Sequence, residues 1–473
     1  MEHIRVEDIV KASKGTLLLG DGKTELSHIK LDSRQVEQGD LFVPIIGEKV
    51  DAHRFISQVV KQGAGAVFTS RHTKEEAEKI NGEAGAHTAW IFVEDTVKAL
   101  QAVGAYCRER RDIPVVGITG SVGKTTTREM VAAALMAGFT VFKTPGNSNS
   151  QVGVPITMSE ISPSDEIAVI ELGMSEPGEL TKIAKIAKPT MAVVTNIGIT
   201  HIEQLGSREN IYKEKMTIQD GLLEGGILLL NGNDDMLKDT KAREGRGFRT
   251  VYYGTGENSD YRAVDIEEKD GFPCFTAIHG ETRVPVCLKV MGMHNVLNAM
   301  AAIAAACENG VAMEKAGKSL EMFTGFKGRQ QIYENKGMTI IDDTYNASPV
   351  SMKAGISVLC ALKEGTRKIA VLADMKELGE DTVKFHREVG EYVSGQPVDV
   401  LVTYGELAEE IGKGAKRAGQ DGRQEIYSFL DKEEMTAFLD TFLKEGDCIL
   451  FKGSNSMKLG ETAAHFGGKK DGA

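Results

Sequence analysis

The sequence predicts an α/β fold in three domains: a small N-terminal α/β unit, a central unit with a mostly parallel sheet around a phosphate loop, and a C-terminal Rossmann-like α/β unit. Three observations carry this. From residue 113 onward, short apolar runs alternate with helical patterns, the rhythm of parallel strands covered on both faces. The stretch IPVVGITGSVGKTTTREMVAAALM, residues 113–136, puts a glycine-bearing turn where a strand hands over to a helix. A chain of 473 residues is long enough for about three domains at roughly 150 residues each.

Residues 1–111 form the first domain. LFVPII and AGAVFTS read as strands, and AHRFISQVVKQG between them as a helix. Asp32, Ser33, Arg34 and the segment Gly47 to His53 cluster beside strand ends, where ligand loops sit, although solvated loops have the same composition.

Residues 112–324 form the second domain. After the loop helix come TVFK, the loop TPGNSNSQVGVP, strand IAVIEL, helix PGELTKIAKIAKP, strand MAVVTNIG, helix SRENIYKEKMTIQDGL and strands GILLLN and TVYYG. EEKDGFPCFTAIHGETRVPVCLKV is alternating and turn-rich and reads as antiparallel β; HNVLNAMAAIAAACENG reads as a long helix. Residues 325–473 repeat the α/β rhythm, from MTIIDDTY through KIAVLADM, VDVLVTYG and EIYSFL to CILFKGS, and the charged tail GGKKDGA is expected to fray.

Composition excludes several classes. With 56 basic and 68 acidic residues the net charge is −12, which opposes general nucleic-acid binding, since phosphate backbones are held by basic faces. No run approaches the roughly 20 apolar residues of a membrane span, and MEHIRVEDIVKAS lacks the apolar stretch of a signal peptide. The six cysteines show no CxxC pair and read as reduced, mostly buried thiols. The expectation is a soluble cytoplasmic protein that works as a monomer.

Thr119, Gly120, Ser121, Val122, Gly123, Lys124, Thr125 and Thr126 make the loop. Its backbone N–H groups and helix dipole suit a phosphate, the lysine suits terminal phosphates, and the threonine hydroxyl suits magnesium. In the strict phosphate-loop pattern the first glycine falls where this chain has Ile118. Glu171 and His201 follow strands on the same sheet edge as the loop and are plausible metal ligands, although each taken singly reads more readily as a strand-end charge and a capped loop histidine. Lys215 falls with Ile211 and Ile218 on an apolar helix face while Lys213 and Glu214 point elsewhere. A lysine there with a depressed pKa can react with carbon dioxide to give a carbamate; a snorkelling lysine has the same spacing. His294, Asn295 and Asn298 open a helix with polar edges suited to a purine, Asn295 alternatively serving as an N-cap. Asp343 ends a strand where a ribose hydroxyl can be held, and Arg329 can stabilise a transferring phosphoryl group, which together imply a site between domains.

Taken together, TGSVGKTT, the GNSN loop, IELGMSEPGE, NIGITHIEQLGS, YKEKMTI, GMHNVLNAMAA, GRQQ and DDTYNASP resemble, in order and along essentially the whole chain, the Mur ligases of peptidoglycan synthesis. DSRQVEQGDLFVPIIGEKVDAHRF, VLADMKELGE and LFKGSNSMKL are most similar to the branch that joins D-alanyl-D-alanine to UDP-N-acetylmuramoyl-tripeptide. The resemblance implies an ATP-dependent ligase working through an acyl phosphate, with two Mg2+ ions and a carbamylated Lys215. It implies Lys124 and Thr125 on the β/γ-phosphates, and Thr125, Glu171, His201 and Lys215 as metal ligands. Asn295 becomes the adenine contact, Asp343 the ribose contact and Arg329 a phosphate contact. Ser33 and Arg34 help bind the UDP-sugar in the first domain, and the third domain brings in the dipeptide. Asn147 and Asn149 both fit the asparagine of the GN loop. Outside this family, a phosphate-loop kinase or regulatory ATPase shares the loop but needs no Lys215.

Overall fold

Three sheets organise the chain, each with helices on its faces. The computed structural model describes residues 1, 3–269, 271–362, 366–419 and 424–468. The first sheet holds β1 (Thr16–Leu19), β2 (Ile29–Lys30), β3 (Leu41–Phe42), β4 (Ala66–Thr69) and β5 (Ala89–Phe92) in the order β1-β5-β4-β3-β2, parallel except for β1. The expected LFVPII strand shrinks to its first two residues because Pro44 has no N–H to give to a ladder.

The second sheet is the largest. It contains β6 (Val115–Thr119), β7 (Val141–Lys143), β8 (Ile167–Glu171), β9 (Met191–Val194), β10 (Ile227–Asn231), β11 (Arg249–Gly254), β12 (Tyr261–Lys269), β13 (Phe272–His279) and β14 (Thr282–Cys287). Their order is β14-β13-β12-β11-β10-β9-β6-β8-β7. The strands from β6 to β12 pair in parallel, while β12, β13 and β14 form the antiparallel flank expected from their alternation. Successive side chains of β6 and β9 feed opposite layers: Val116, Ile118, Met191 and Val193 pack on one side, Val115, Ala192 and Val194 on the other. Each Val, Ile or Met among them contributes roughly 1.5–3 kcal/mol on burial, which fixes the register and so the position of every residue at the strand ends. The first and second units meet where helix Thr96–Glu109 lies on helix Gly153–Glu160, and Gly104 permits it: a Cβ there would stand 2.4 Å from Pro155 Cα.

The third sheet comprises β15 (Gln331–Asn335), β16 (Met338–Asp343), β17 (Lys368–Ala373), β18 (Val400–Tyr404), β19 (Glu425–Phe429) and β20 (Cys448–Lys452), ordered β15-β16-β20-β17-β18-β19. Edge strand β15 is antiparallel and the rest are parallel. The α/β expectation therefore holds in all three sheets.

Several elements lay outside the sequence reading, among them helices Val6–Ser13, Lys74–Ala84, Thr96–Glu109, Gly153–Glu160 and Met313–Leu320, strands β5 and β15, and the closing helix Leu459–Gly467. Most of the charged tail lies outside the described residues. The cysteines require a correction. Cys274 and Cys287 form a disulfide, because the β13–β14 register sets them directly opposite each other, a relation that linear spacing cannot reveal. Cys107, Cys307, Cys360 and Cys448 are free thiols. Among the described residues no helix is long and apolar enough to cross a membrane.

Candidate active site

The loop after β6 has its shape because two glycines allow it. Gly120 has φ +153°, and a Cβ there would lie 1.9 Å from Thr195 Oγ1; Gly123, at φ +80°, opens helix Lys124–Leu135 in the left-handed region. Ile118, the residue that departs from the strict pattern, is a buried core residue of β6. The end of β9 clamps the turn. Val122 N–H donates to Asn196 Oδ1 at 2.9 Å, Thr195 Oγ1 and Asn196 Nδ2 donate to Val122 O, and Gly198 N–H donates to Ser121 Oγ at 2.8 Å. The helix N-terminus is thereby held facing the cleft, with its first N–H groups and positive dipole end available to an anion.

Cations gather around it. Lys124 Nζ donates to Gly120 O at 2.7 Å, and burial lowers its pKa, with Glu171 opposing the shift and Arg329 adding to it. Arg329 arrives from the segment before β15, stacks 3.9 Å over the Tyr345 ring and donates Nη2 to Thr125 Oγ1 at 3.3 Å. Its Nε is buried without a partner among the described residues, and burial lowers its pKa against the pull of Asp343 and Glu171. Concentrated positive charge with few counter-ions suits a polyphosphate.

Glu171 ends β8 beside Ile118 of the loop strand. Asn149 Nδ2 donates to its Oε1 at 2.7 Å, and Arg128 Nη1 donates to its Oε2 at 3.2 Å. Arg128 also bonds Gly146 O and Glu129 Oε1, and Glu129 pairs with Lys143. The two asparagines of the GN loop are thus distinguished by their partners, for Asn147 bonds the Tyr345 hydroxyl instead. Arg128 escaped the sequence reading, although its place one helical turn beyond Lys124 was a usable signal.

Lys215 is 1% exposed, between Ile211 and Ile218 at 0%. Burial first, and then the Lys124 charge, lower its pKa well below the usual lysine value. Glu214 does not point away as expected. It is buried because its two carboxylate oxygens accept from Gly178 and Leu180 N–H, capping the open start of helix Glu179–Ala187. His201, at φ +64°, sets Nδ1 2.6 Å from Glu377 Oε2 of the third unit, and this contact lowers the Glu377 pKa. Glu377 was not anticipated, because only the packing of two units brings it here.

A cavity of about 160 Å³ runs from Val122, Gly123 and Thr126 past Asn295 and Asn298 to Arg329 and Asp343. A smaller one, about 60 Å³, joins Ser121, Lys124 and His201 to Arg329, Asn346 and Ser348. Asn295 is not the N-cap of helix His294–Glu308, which is Met293. Its Nδ2 donates to Met291 O and its Oδ1 accepts from Asn298 Nδ2. Asp343 pairs with the buried Lys452 at 2.7 Å. Ser33 and Arg34 line neither cavity; Ser33 is buried in a 3-10 turn and Arg34 is largely exposed, holding the Asp32 carboxyl down at about 2.

Among the described residues no three His, Cys, Asp or Glu side chains converge as a metal cage. The hydroxyl of Thr125 and the carboxylate of Glu171 are nonetheless hard oxygen donors beside a phosphate cradle. They fit magnesium, which takes a few protein oxygens and completes its shell with phosphate and water.

Comparison with known proteins agrees along the chain. Residues 25–106 match the Mur ligase family catalytic domain, 118–306 the Mur ligase middle domain and 328–455 the Mur ligase glutamate ligase domain. UDP-N-acetylmuramoyl-tripeptide--D-alanyl-D-alanine ligase of Bacillus subtilis is 37% identical over 461 residues, 96% of each chain, and the Escherichia coli protein of that name is 31% identical over 92% of each. MurF from Acinetobacter baumannii superposes with TM-score 0.86 at 31% identity, covering 98% of this chain and 99% of that one. MurF ligase from Thermotoga maritima, solved in complex with ADP, gives 0.79 at 30% identity over 94% and 98%. With relatives above 30% identity over more than nine-tenths of its length, and matches in all three sheets, the chain belongs to the Mur ligase family.

Proposed function

We propose that the protein is an ATP-dependent ligase that joins D-alanyl-D-alanine to UDP-N-acetylmuramoyl-tripeptide, giving UDP-N-acetylmuramoyl-pentapeptide, ADP and phosphate in peptidoglycan synthesis. It acts in the cytoplasm, and as a monomer, since one chain supplies both walls of the cleft. The observation that carries the reading is the cation group Lys124, Lys215 and Arg329, drawn from two units around a phosphate loop.

A carboxylate is a poor acyl donor. One oxygen of the tripeptide's terminal carboxylate attacks the γ-phosphorus of ATP; the bond to the β-γ bridging oxygen breaks and ADP leaves. The amine of D-alanyl-D-alanine then attacks the acyl carbon, an amide forms, phosphate leaves, and the amine's proton passes to solvent or the departing phosphate. Both steps concentrate negative charge where Lys124 and Arg329 point. Thr125 and Glu171 would hold one magnesium ion, and His201 with a carbamylated Lys215 would hold a second. Bound there, the ions supply further charge stabilisation to the phosphoryl oxygens. Asn149 and Arg128 keep Glu171 in place, Asn295 meets the adenine and Asp343 the ribose. Ser33 and Arg34, remote from this cleft, hold the UDP-sugar on the first unit, and the third unit presents the dipeptide. Closure of that unit excludes water from the acyl phosphate.

The reading is tested by incubating the protein with ATP, UDP-N-acetylmuramoyl-tripeptide and either D-alanyl-D-alanine or single amino acids. Phosphate release with the dipeptide and formation of the pentapeptide nucleotide are expected. Release with a single amino acid alone, or equally without any acceptor, contradicts it.

A further inference from the structure

Tyr253 is the last residue but one of β11 and is 1% exposed, yet it lines the larger cavity. Its hydroxyl makes no hydrogen bond among the described residues. The polar groups around it are otherwise engaged. Asn231, its register neighbour on β10, donates to Thr195 O and accepts from Asn233 N–H. Asn295 and Asn298 bond each other, and Asn298 Oδ1 accepts from Thr127. A hydroxyl that lines a ligand cavity beside polar groups already bonded to each other is placed for a ligand.

Position narrows the ligand. The strand order β11-β10-β9-β6 puts Tyr253 three strands from the phosphate loop, about 14 Å at roughly 4.8 Å per strand. That is the scale of the distance between a nucleotide's terminal phosphates and its base. The wall between them carries the apolar side chains Val290, Leu297 and Phe323, which suit a flat ring. Burial also raises the phenol's pKa, so the hydroxyl keeps its proton.

We propose that the Tyr253 hydroxyl is a nucleobase-specificity group, hydrogen-bonded to the polar edge of adenine and contributing to the choice of ATP over guanine nucleotides. The inference rests on the reading that this cavity holds ATP.

The test is calorimetric binding of ADP and GDP, with magnesium, to the full chain and to Tyr253→Phe, which removes one oxygen and keeps the ring. ADP binding is expected to weaken about five- to tenfold, as for one lost hydrogen bond, while GDP binding changes less than about twofold, so that the preference for adenine narrows. Inorganic tripolyphosphate, which lacks a base, should bind both proteins alike. Equal weakening of ADP and GDP, or an unchanged ADP affinity, overturns the proposal. Failure of the parent chain to bind ADP at all would instead sink the ATP-dependent reading of the site, so the two failures are distinguishable.

Discussion

Asn149 Nδ2 donates to Glu171 Oε1 across 2.7 Å, which ties the GN loop to the carboxylate that stands beside the phosphate loop. Removing the amide frees that carboxylate, the proposed magnesium ligand, to rotate. Asn149→Ala should lower kcat about ten- to a hundredfold, from roughly 1.5–3 kcal/mol of lost positioning. Asn147→Ala, which loses only its bond to Tyr345, should cost less. Steady-state rates at saturating ATP compare the two.

Lys215 is buried beside Lys124 with its pKa driven down, the state in which an amine reacts with carbon dioxide. Lys215→Ala should abolish most activity, and short carboxylates such as acetate or formate should restore part of it by replacing the carbamate anion. Rates measured across a carboxylate titration decide the matter. No rescue, with the fold intact by circular dichroism, would remove the carbamate from the account.

Lys452 and Asp343 form a pair that is almost wholly buried, at 1% and 7% side-chain exposure. Lys452→Met leaves a carboxylate without its main counter-charge and should destabilise the protein by about 3–5 kcal/mol. Adding Asp343→Asn should recover part of that loss, because the orphaned charge is then gone. Denaturant unfolding of the single and double variants measures both effects.

His386 anchors the loop that carries Glu377. Its Nε2 accepts from Met375 N–H at 3.0 Å and its Nδ1 lies 2.7 Å from Thr382 O, a pattern that requires the neutral ring. Burial lowers its pKa below the usual 6.5. The unfolded chain therefore takes up the proton first. The His386 contribution is complete above pH 6.5 and declines as the pH falls from there toward the folded value, by at most about 1.4 kcal/mol per pH unit. His386→Gln should show a flatter stability profile across that window in urea melts at stepped pH.

How much of this was legible in sequence follows from where the information lies. The loop, the strand rhythm and the apolar face of Ile211, Lys215 and Ile218 are local patterns, and the chain keeps them. Glu214 was misplaced because the helix start that needs its carboxylate lies more than thirty residues away in sequence. The Cys274–Cys287 bond depends on strand register, and the meeting of His201 with Glu377 on the docking of two units. Tyr253 looked like one more strand aromatic; only the commitments of its neighbours leave its hydroxyl open to the cavity.

The central claim is that ATP activates the tripeptide's own carboxylate. Tripeptide nucleotide labelled with oxygen-18 in its terminal carboxylate, turned over with ATP and D-alanyl-D-alanine, tests it directly by mass spectrometry of the released phosphate. One labelled oxygen per phosphate is expected, carried across the acyl phosphate. Phosphate free of label, with amide formed, would contradict the account.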